Sequence, residues 1–329
     1  MTYRSINGVL LLGLYLLLCA CASPKENGMK YEQGMYKEAL ERQKAGLAIK
    51  EEEPTPLPNM GPTDYERLGD SHFQNGNWAL AVVEYSKALE GHPAPATIHY
   101  KLGLVSLKQG LGQEALARLQ EAAKLAPKSS LAHEGLGQAY WQIGNYDLAE
   151  SALHQALVLD PSRWQTHNWL GMLLDRKKRH QEAIAEYQAA LALRPQESAV
   201  HNNLGLAYYF TGEYDQAIRA FEEAVRNGAT QAKVHNNLAL AYGKAGRFAD
   251  AWNGFKRAGD EAQAYNNLGT IYMDLGKTRQ AVICFEKALE QAPRYYVAAA
   301  ENLHAAQRAA VESSSLNHDS DNNGASSCP

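Results

Sequence analysis

The chain has 329 residues, of which 45% are hydrophobic and 21% are charged, a composition that predicts folding over most of its length. The formal net charge of −4 argues against electrostatic binding of this chain to nucleic-acid phosphates. Nucleic acid is therefore not expected among the partners of this chain.

The first twenty residues predict an export signal. Arg4 precedes the apolar run VLLLGLYLLL at residues 9–18, which is too short to span a bilayer and has the length of a signal-peptide core. The run ends in LCAC, residues 18–21, which resembles a bacterial lipobox with Cys21 as the lipidated residue. Cys19 does not fit, because a bulky leucine would precede it. An ordinary secretory signal with two incidental cysteines is the alternative.

The lipobox resemblance implies that residues 1–20 are removed and that acylated Cys21 anchors the chain to a lipid membrane. Ala22 follows in place of aspartate, which in double-membraned bacteria implies the outer membrane, facing the periplasm. Residues 21–61 would then hold the lipidated terminus, a degenerate half-repeat or stand-alone helix within residues 31–49, and a proline-rich linker.

A repeat occupies residues 62–295. A small residue preceded by leucine recurs at spacings of 34, 34, 34, 34, 34 and 30 residues, and alanines follow 12 and 19 positions later. The small residues are Gly69, Gly103, Gly137, Gly171, Gly205, Ala239 and Gly269. The bulky residues between the alanines are Tyr85, Leu119, Leu153, Tyr187, Phe221, Phe255 and Phe285. Each unit is predicted to be a pair of helices that approach at the small residue while the bulky one fills the adjacent gap.

This pattern resembles the tetratricopeptide repeat, a helix–turn–helix unit of 34 residues. The resemblance implies an all-α, right-handed superhelical solenoid of seven units, at residues 62–95, 96–129, 130–163, 164–197, 198–231, 232–261 and 262–295. A helix at 296–311 is expected to cap the last unit, and 312–329 to form a disordered polar tail. The sixth unit is four residues short, so Gly259 is predicted to end one helix and Asp260 to cap the next.

Two sequence patterns, a row of histidines and an acidic motif in the tail, resemble metal-binding sites. Histidines stand one repeat apart at His99, His133, His167, His201 and His235. Stacked helices lie about 8–10 Å apart, so neighbouring imidazoles cannot share a metal, and packed, hydrogen-bonded histidines are expected. The tail motif DSDNNG, residues 319–324, matches the opening of a calcium loop but lacks the glutamate of its twelfth position. We expect no metal, no cofactor and no catalytic site.

After the predicted removal of residues 1–20, the chain has two cysteines in addition to Cys21. Cys284 lies in a helical pattern, where a small buried apolar residue is the favoured interpretation, and Cys328 lies in the polar tail. A disulfide between them is the alternative in an oxidising compartment.

The repeat resemblance implies that the first helix of each unit lines a concave face. The stripe predicted to bind a protein or peptide ligand comprises Trp141, Asn168, Trp169, Asn202, Asn203, Leu206, Tyr209, Phe210, Asn236, Asn237, Asn266 and Asn267. Asparagine amides both donate and accept, so they suit the backbone of an extended peptide, while the aromatic residues offer apolar pockets. The alternative is that the NNLG sequences are repeat consensus with solvated amides.

The lipobox, the repeats and the lack of an enzyme motif together resemble TadD-type lipoproteins of tight-adherence (Flp) pilus assembly. This resemblance implies a non-catalytic scaffold that helps a secretin or pilus component reach the outer membrane. Two alternatives are a type IV pilus secretin pilotin and an NlpI-like adaptor that recruits envelope hydrolases or proteases.

Overall fold

The computed structural model describes residues 60–92, 94–292, 294, 296–316 and 328–329, which contain fifteen helices and no strand. The first helices of the seven units are α1 (Pro62–Gln74), α3 (Pro95–Lys108), α5 (Ser130–Gln142), α7 (Trp164–Arg176), α9 (Ser198–Thr211), α11 (Ala232–Lys244) and α13 (Glu261–Asp274). The second helices are α2 (Trp78–Leu89), α4 (Gly112–Leu125), α6 (Tyr146–Leu159), α8 (His180–Leu193), α10 (Tyr214–Arg226), α12 (Phe248–Ala258) and α14 (Thr278–Gln291), and α15 (Val297–Leu316) follows. Cys21, the helix within 31–49 and the motif at 319–324 lie outside the described residues.

The helices stack as consecutive hairpins. Each first helix packs against the second helix of its own unit, and each second helix packs against the first helix of the next unit. This arrangement confirms the predicted all-helical solenoid. Of the described helices, none is both long and apolar enough to cross a membrane.

The predicted contact between small and bulky residues is also confirmed. A Cβ added to Gly205 would lie 2.6 Å from the ring of Phe221, and one added to Gly137 would lie 2.6 Å from Leu153. Such distances are below van der Waals contact, so the backbone of the first helix approaches the bulky side chain only where Cβ is absent. The Phe221 and Leu153 side chains are buried as a result.

Helix α1 has the polar character of a terminal helix. Leu68 is 38% exposed, whereas its counterparts in the later units, among them Leu102 and Leu170, are at most 9% exposed. Asp64 occupies a position where the next unit has the buried Ile98, and it accepts a hydrogen bond from the Gly61 N–H at 3.1 Å. Polar residues on the outer side are what the first unit of a stacked array needs.

The shortened sixth unit ends as predicted. Helix α12 has only 11 residues and ends at Ala258, with Gly259 as its C-terminal cap. Asp260 then caps α13, where its Oδ1 accepts a 2.7 Å hydrogen bond from the Gln263 N–H.

The C-terminal region differs from the prediction in two respects. Helix α15 ends at Leu316 rather than at residue 311, because no glycine or proline interrupts residues 312–316 and serine tolerates a helix. Cys328, expected in a disordered tail, is 1% exposed and forms a disulfide with Cys284. The interpretation of Cys284 as an unpaired core residue is therefore wrong, although its burial is confirmed.

Candidate functional site

Asparagine side chains on consecutive first helices are hydrogen-bonded to one another. In each case the Nδ2 of the second asparagine of a unit donates to the Oδ1 of the first asparagine of the preceding unit. The bonds run from Asn203 to Asn168 at 3.0 Å, from Asn237 to Asn202 at 3.1 Å, and from Asn267 to Asn236 at 3.3 Å. We call this row of bonds the asparagine ladder.

The last bond of the ladder is made by a residue that the sequence analysis missed. Asn302 of α15 donates to the Oδ1 of Asn266 at 2.9 Å. The signal was present in the sequence, because ENLH at residues 301–304 matches the NNLG sequence of earlier units at two positions, the second asparagine and the leucine after it. Helix α15 therefore continues the pattern of a first helix as well as covering α14.

The ladder uses only part of the hydrogen-bonding capacity of its amides. An asparagine offers two N–H donors and an oxygen with two lone pairs, and each of these bonds takes one donor from one residue and one lone pair from the other. Asn237 and Asn266 are buried, each at 8% exposure, whereas Asn203 and Asn236 are half-buried. The half-buried amides thus retain donors and acceptors for a ligand, and the buried ones act within the ladder.

In the N-terminal units charged groups occupy the equivalent positions. Lys101 Nζ lies 2.6 Å from Glu66 Oε1, in the place of an asparagine bond, and it also pairs with Asp70. Burial alone would raise the pKa of Glu66, but the hydrogen bonds and charges of Lys101 and His92 lower it overall. This end of the row is therefore an ion-pair network.

A buried carboxylate separates the charged and amide parts of the row. Glu134 is 5% exposed and accepts hydrogen bonds from Arg163, which immediately precedes α7, and from Thr166 of α7. Gly135, at the neighbouring position, has no side chain to donate. The donor position of the fourth unit holds Trp169, so the asparagine ladder begins at Asn168.

The two predicted tryptophans lie together beside the start of the ladder. The rings of Trp141 and Trp169 meet edge to face with centroids 6.2 Å apart, and Trp141 meets Tyr146 in the same way at 5.7 Å. The Arg176 guanidinium lies 5.9 Å from the Tyr146 ring. Both tryptophans are half-buried, so part of each indole faces solvent.

The aromatic residues of the fifth unit lie nearer to the hairpin turn. Phe210 is 62% exposed and stacks on His180 of the preceding unit at 5.1 Å. His180 is held by Asp175, whose Oδ1 lies 2.8 Å from Nδ1, and burial raises the pKa of that carboxyl. Tyr209 packs edge to face on Tyr214 at 5.6 Å. Phe210 thus borders a shallow depression of about 280 Å³ lined by residues 178–182 and 211.

Leu206 lies one helical turn beyond the asparagine pair of α9. It is half-buried and packs against the core cluster that contains Phe221 and Leu238. Residues three or four apart share a helix face, so Leu206 extends the surface formed by Asn202 and Asn203.

The repeated histidines have a structural role. In three units the Nε2 of the histidine bonds the carbonyl oxygen of the proline six residues earlier, which ties the start of a first helix to the preceding connection. The pairs are His133 with Pro127 at 3.0 Å, His167 with Pro161 at 3.2 Å and His201 with Pro195 at 2.8 Å. The prediction of packed, hydrogen-bonded histidines is confirmed for these three. Within the described part of the chain, no group of three histidine, cysteine or acidic residues is arranged to hold a metal ion.

Stacked helical hairpins with this spacing of small and bulky residues define a tetratricopeptide repeat protein. Residues 262–295 match the family model described as tetratricopeptide repeat. Residues 29–267 match the model described as the C-terminal domain of cilia and flagella-associated protein 70, and the chain belongs to that family. The curated proteins contain no match to this sequence.

Several solved structures share the fold. The APC/C hetero-tetramer Cut9–Hcn1 aligns with a TM-score of 0.53 and 20% identity, over 77% of this chain and 50% of its own. PilF of Pseudomonas aeruginosa aligns with a TM-score of 0.51 and 23% identity, over 65% and 96% of the two chains. A tetratricopeptide repeat protein from Parabacteroides merdae aligns with a TM-score of 0.51 and 18% identity, over 75% and 98%. At these identities the likeness concerns the fold alone.

Proposed function

We propose that this protein is a scaffold that binds an extended stretch of another polypeptide along the asparagine ladder. The observation that carries the proposal is the ladder itself, a row of amides held at fixed positions with donors and acceptors still unused. Fixed amides lower the entropic cost of binding a peptide backbone, because their orientation is set before the ligand arrives.

The residues beside the ladder suit apolar anchors. Trp141 and Trp169 form one half-exposed aromatic cluster, and Leu206 with Tyr209 forms a second apolar stretch one unit later. Partly exposed aromatic side chains on a binding surface commonly carry most of the binding energy. A ligand with apolar side chains spaced along an extended backbone would fit both.

Between residues 164 and 240 the first helices α7, α9 and α11 carry three charged residues, Asp175, Arg176 and Lys233. Asp175 in this stretch is bonded to His180 and to the Tyr187 hydroxyl, and Lys244 just beyond it pairs with Asp274 at 2.9 Å. A strongly charged ligand would find little complementary charge there. We therefore expect an uncharged or weakly charged segment of the partner.

For the cellular role, we propose a lipid-anchored scaffold at the outer membrane, facing the periplasm, that assists assembly of a pilus or secretion complex. The lipobox-like sequence ending at Cys21 and the TadD-like character of the sequence support this assignment. The disulfide between Cys284 and Cys328 adds support, because disulfides persist mainly in oxidising compartments such as the periplasm. An NlpI-like adaptor and a secretin pilotin would use the same surface and differ in the partner held.

Site-specific photo-crosslinking in the host tests the binding surface. A photoreactive amino acid at Leu206 should crosslink a partner polypeptide, whereas the same residue at exposed Arg219, on a second helix, should not. The double substitution W169A/N203A should remove the Leu206 crosslink while the helical circular dichroism is retained. Mass spectrometry of the product then identifies a secretin or pilin, or instead an envelope hydrolase. Equal crosslinking from both positions, or a crosslink that survives the double substitution, would place the partner elsewhere.

A further inference from the structure

The C-terminal residues are attached to the last unit by a covalent bond and by polar contacts. Cys328 is bonded to Cys284 of α14, 44 residues earlier, with 5.5 Å between the Cα atoms. Lys287, one turn beyond Cys284, donates from Nζ to the carbonyl oxygens of Cys328 at 2.5 Å and Pro329 at 3.2 Å. Its ammonium also lies 5.3 Å from the centre of the Tyr265 ring.

Cys328 is part of the core of the last unit. It is 1% exposed and belongs to the same buried cluster as Cys284, Phe285 and Ala306. The cluster joins α13, α14 and α15 to one another and to α11 and α12 of the sixth unit. A residue far beyond the last repeat therefore completes the packing of the array's end.

We propose that the Cys284–Cys328 disulfide is a redox-controlled clip whose reduction loosens the last unit and α15 while the first five units keep their packing. In a stacked array each unit contacts only its neighbours, so the loss of a crosslink at one end weakens that end. Without the bond, Cys328 is held by its packing in that cluster and by the hydrogen bonds of Lys287. Local opening then exposes the Cys284 thiol and weakens the packing of α15, which carries the Asn302 end of the ladder.

The reaction is a two-electron thiol–disulfide exchange. A thiolate of an external dithiol attacks one sulfur of the bridge and forms a mixed disulfide, and the other cysteine leaves as a thiolate. The second thiol of the reagent then attacks the mixed disulfide and releases the remaining cysteine. The products are two cysteine thiols and one oxidised dithiol. Because both sulfurs are buried, attack requires a local opening, so residues that hold Cys328 in place should slow reduction.

Hydrogen exchange of the full chain, with and without dithiothreitol, tests the clip. Reduction should accelerate exchange in residues 278–311 by at least about tenfold, and leave residues 130–226 within about twofold. C328S should show the fast exchange without reductant and no response to it. Unchanged exchange in residues 278–311 after complete reduction, or acceleration spread evenly over the array, would overturn the proposal.

Alkylation followed by peptide mapping gives an independent measurement. In the oxidised protein Cys284 and Cys328 should be protected from iodoacetamide, and both should be labelled after dithiothreitol. K287M should keep the bond but speed its reduction several-fold, whereas K256M, which alters a lysine of α12, should not. Labelling of both cysteines in the oxidised protein, or equal reduction rates in the two variants, would refute the clip. Neither readout depends on a bound partner, so the result is separate from the test of the binding surface.

Discussion

Asn237 donates a 3.1 Å hydrogen bond to Asn202 across the boundary between the fifth and sixth units, and is itself only 8% exposed. A buried amide needs its partner, because an unpaired donor in the interior is costly. The apolar contacts between units are less directional, so these bonds favour one alignment of neighbouring first helices over others. The ladder thus contributes to the structure of the array and, by the proposal above, to the surface for a ligand.

A double-mutant cycle should measure this bond. N237A and N202A should each destabilise the protein, and their coupling should be about 0.5–1.5 kcal/mol, the net contribution of a typical hydrogen bond. Urea unfolding of the four proteins gives the value. The same cycle on Asn168 and Asn237, which are not bonded to each other, should give coupling near zero. Coupling near zero in both cycles would mean that the bond does not contribute to stability.

In the sixth unit, Gly254 leaves room for the side chain of Ala239, and mutations can test this contact. It has Ala239 where the other units have glycine, and a Cβ added to Gly254 would lie 2.8 Å from the Ala239 Cβ. G254A should therefore destabilise the protein by about 1–3 kcal/mol, as overpacking does. A239G/G254A moves the glycine to the other side of the contact and should recover most of the loss. Thermal melts of wild type, G254A and A239G/G254A measure these changes. A G254A protein as stable as wild type would show that α11 and α12 can move apart without loss of stability.

The sequence predicted the units because contacts in a repeat array are local. The spacing of Gly205 and Phe221 reflects a contact between two helices of one hairpin, so the pattern could be read without knowing the rest of the fold. The same reasoning could place Asn202 and Asn237 on neighbouring helices. It could not show that they bond to each other, because this depends on the distance between the helices and on side-chain rotamers.

The repeat pattern could not predict contacts between residues that the repeat spacing does not relate. The bond between Cys284 and Cys328 joins residues 44 positions apart, and no periodicity in the sequence relates them. The stacking of Phe210 on His180 likewise depends on how successive units are offset. Asn302 differs from these two, since its ENLH context was visible and only the interruption of the 34-residue spacing concealed it.

A substitution in the turn of the fourth unit should increase the stability of the protein. Lys178 has a φ of 62°, at a position where Gly144 and Gly212 of the neighbouring units have φ of 80° and 83°. A side chain in this conformation is strained and glycine is not, so K178G should stabilise the protein by roughly 0.5–1 kcal/mol. G144K should destabilise it by a similar or larger amount, and denaturant midpoints measure both. If K178G lowers stability, the lysine side chain must make contacts that outweigh the strain.

The proposed membrane anchor depends on one sulfur. C21S should release the protein into the soluble fraction, because a lipobox without its cysteine cannot be acylated and no other anchor is proposed. C19S is the matched control and should remain with the membranes, since residue 19 stands two positions before the proposed lipidated cysteine. Fractionation with immunoblotting compares the two. If C21S stays with the membranes as wild type does, the lipobox assignment is wrong.

His167 should couple the stability of the fourth unit to pH. Its Nδ1 lies 2.7 Å from Glu186 Oε2 and its Nε2 lies 3.2 Å from the Pro161 carbonyl, so both ring nitrogens face acceptors. Both can donate only in the imidazolium form. The hydrogen bond that His167 donates to the Glu186 carboxylate is the main cause that raises the pKa of His167, against the opposing effect of burial.

Because the folded-state pKa of His167 is raised, its stabilising contribution is complete below the unfolded value of about 6.5 and is lost as the pH rises through the folded value. Urea midpoints of wild type should therefore fall relative to those of E186Q over that interval, and NMR titration of the imidazole should show a lower pKa in E186Q. H201Q is a suitable comparison, since the 2.8 Å bond of His201 to the Pro195 carbonyl uses one ring nitrogen. A constant difference between wild type and E186Q from pH 5 to pH 9 would show that the histidine does not bind the proton that its two acceptors require.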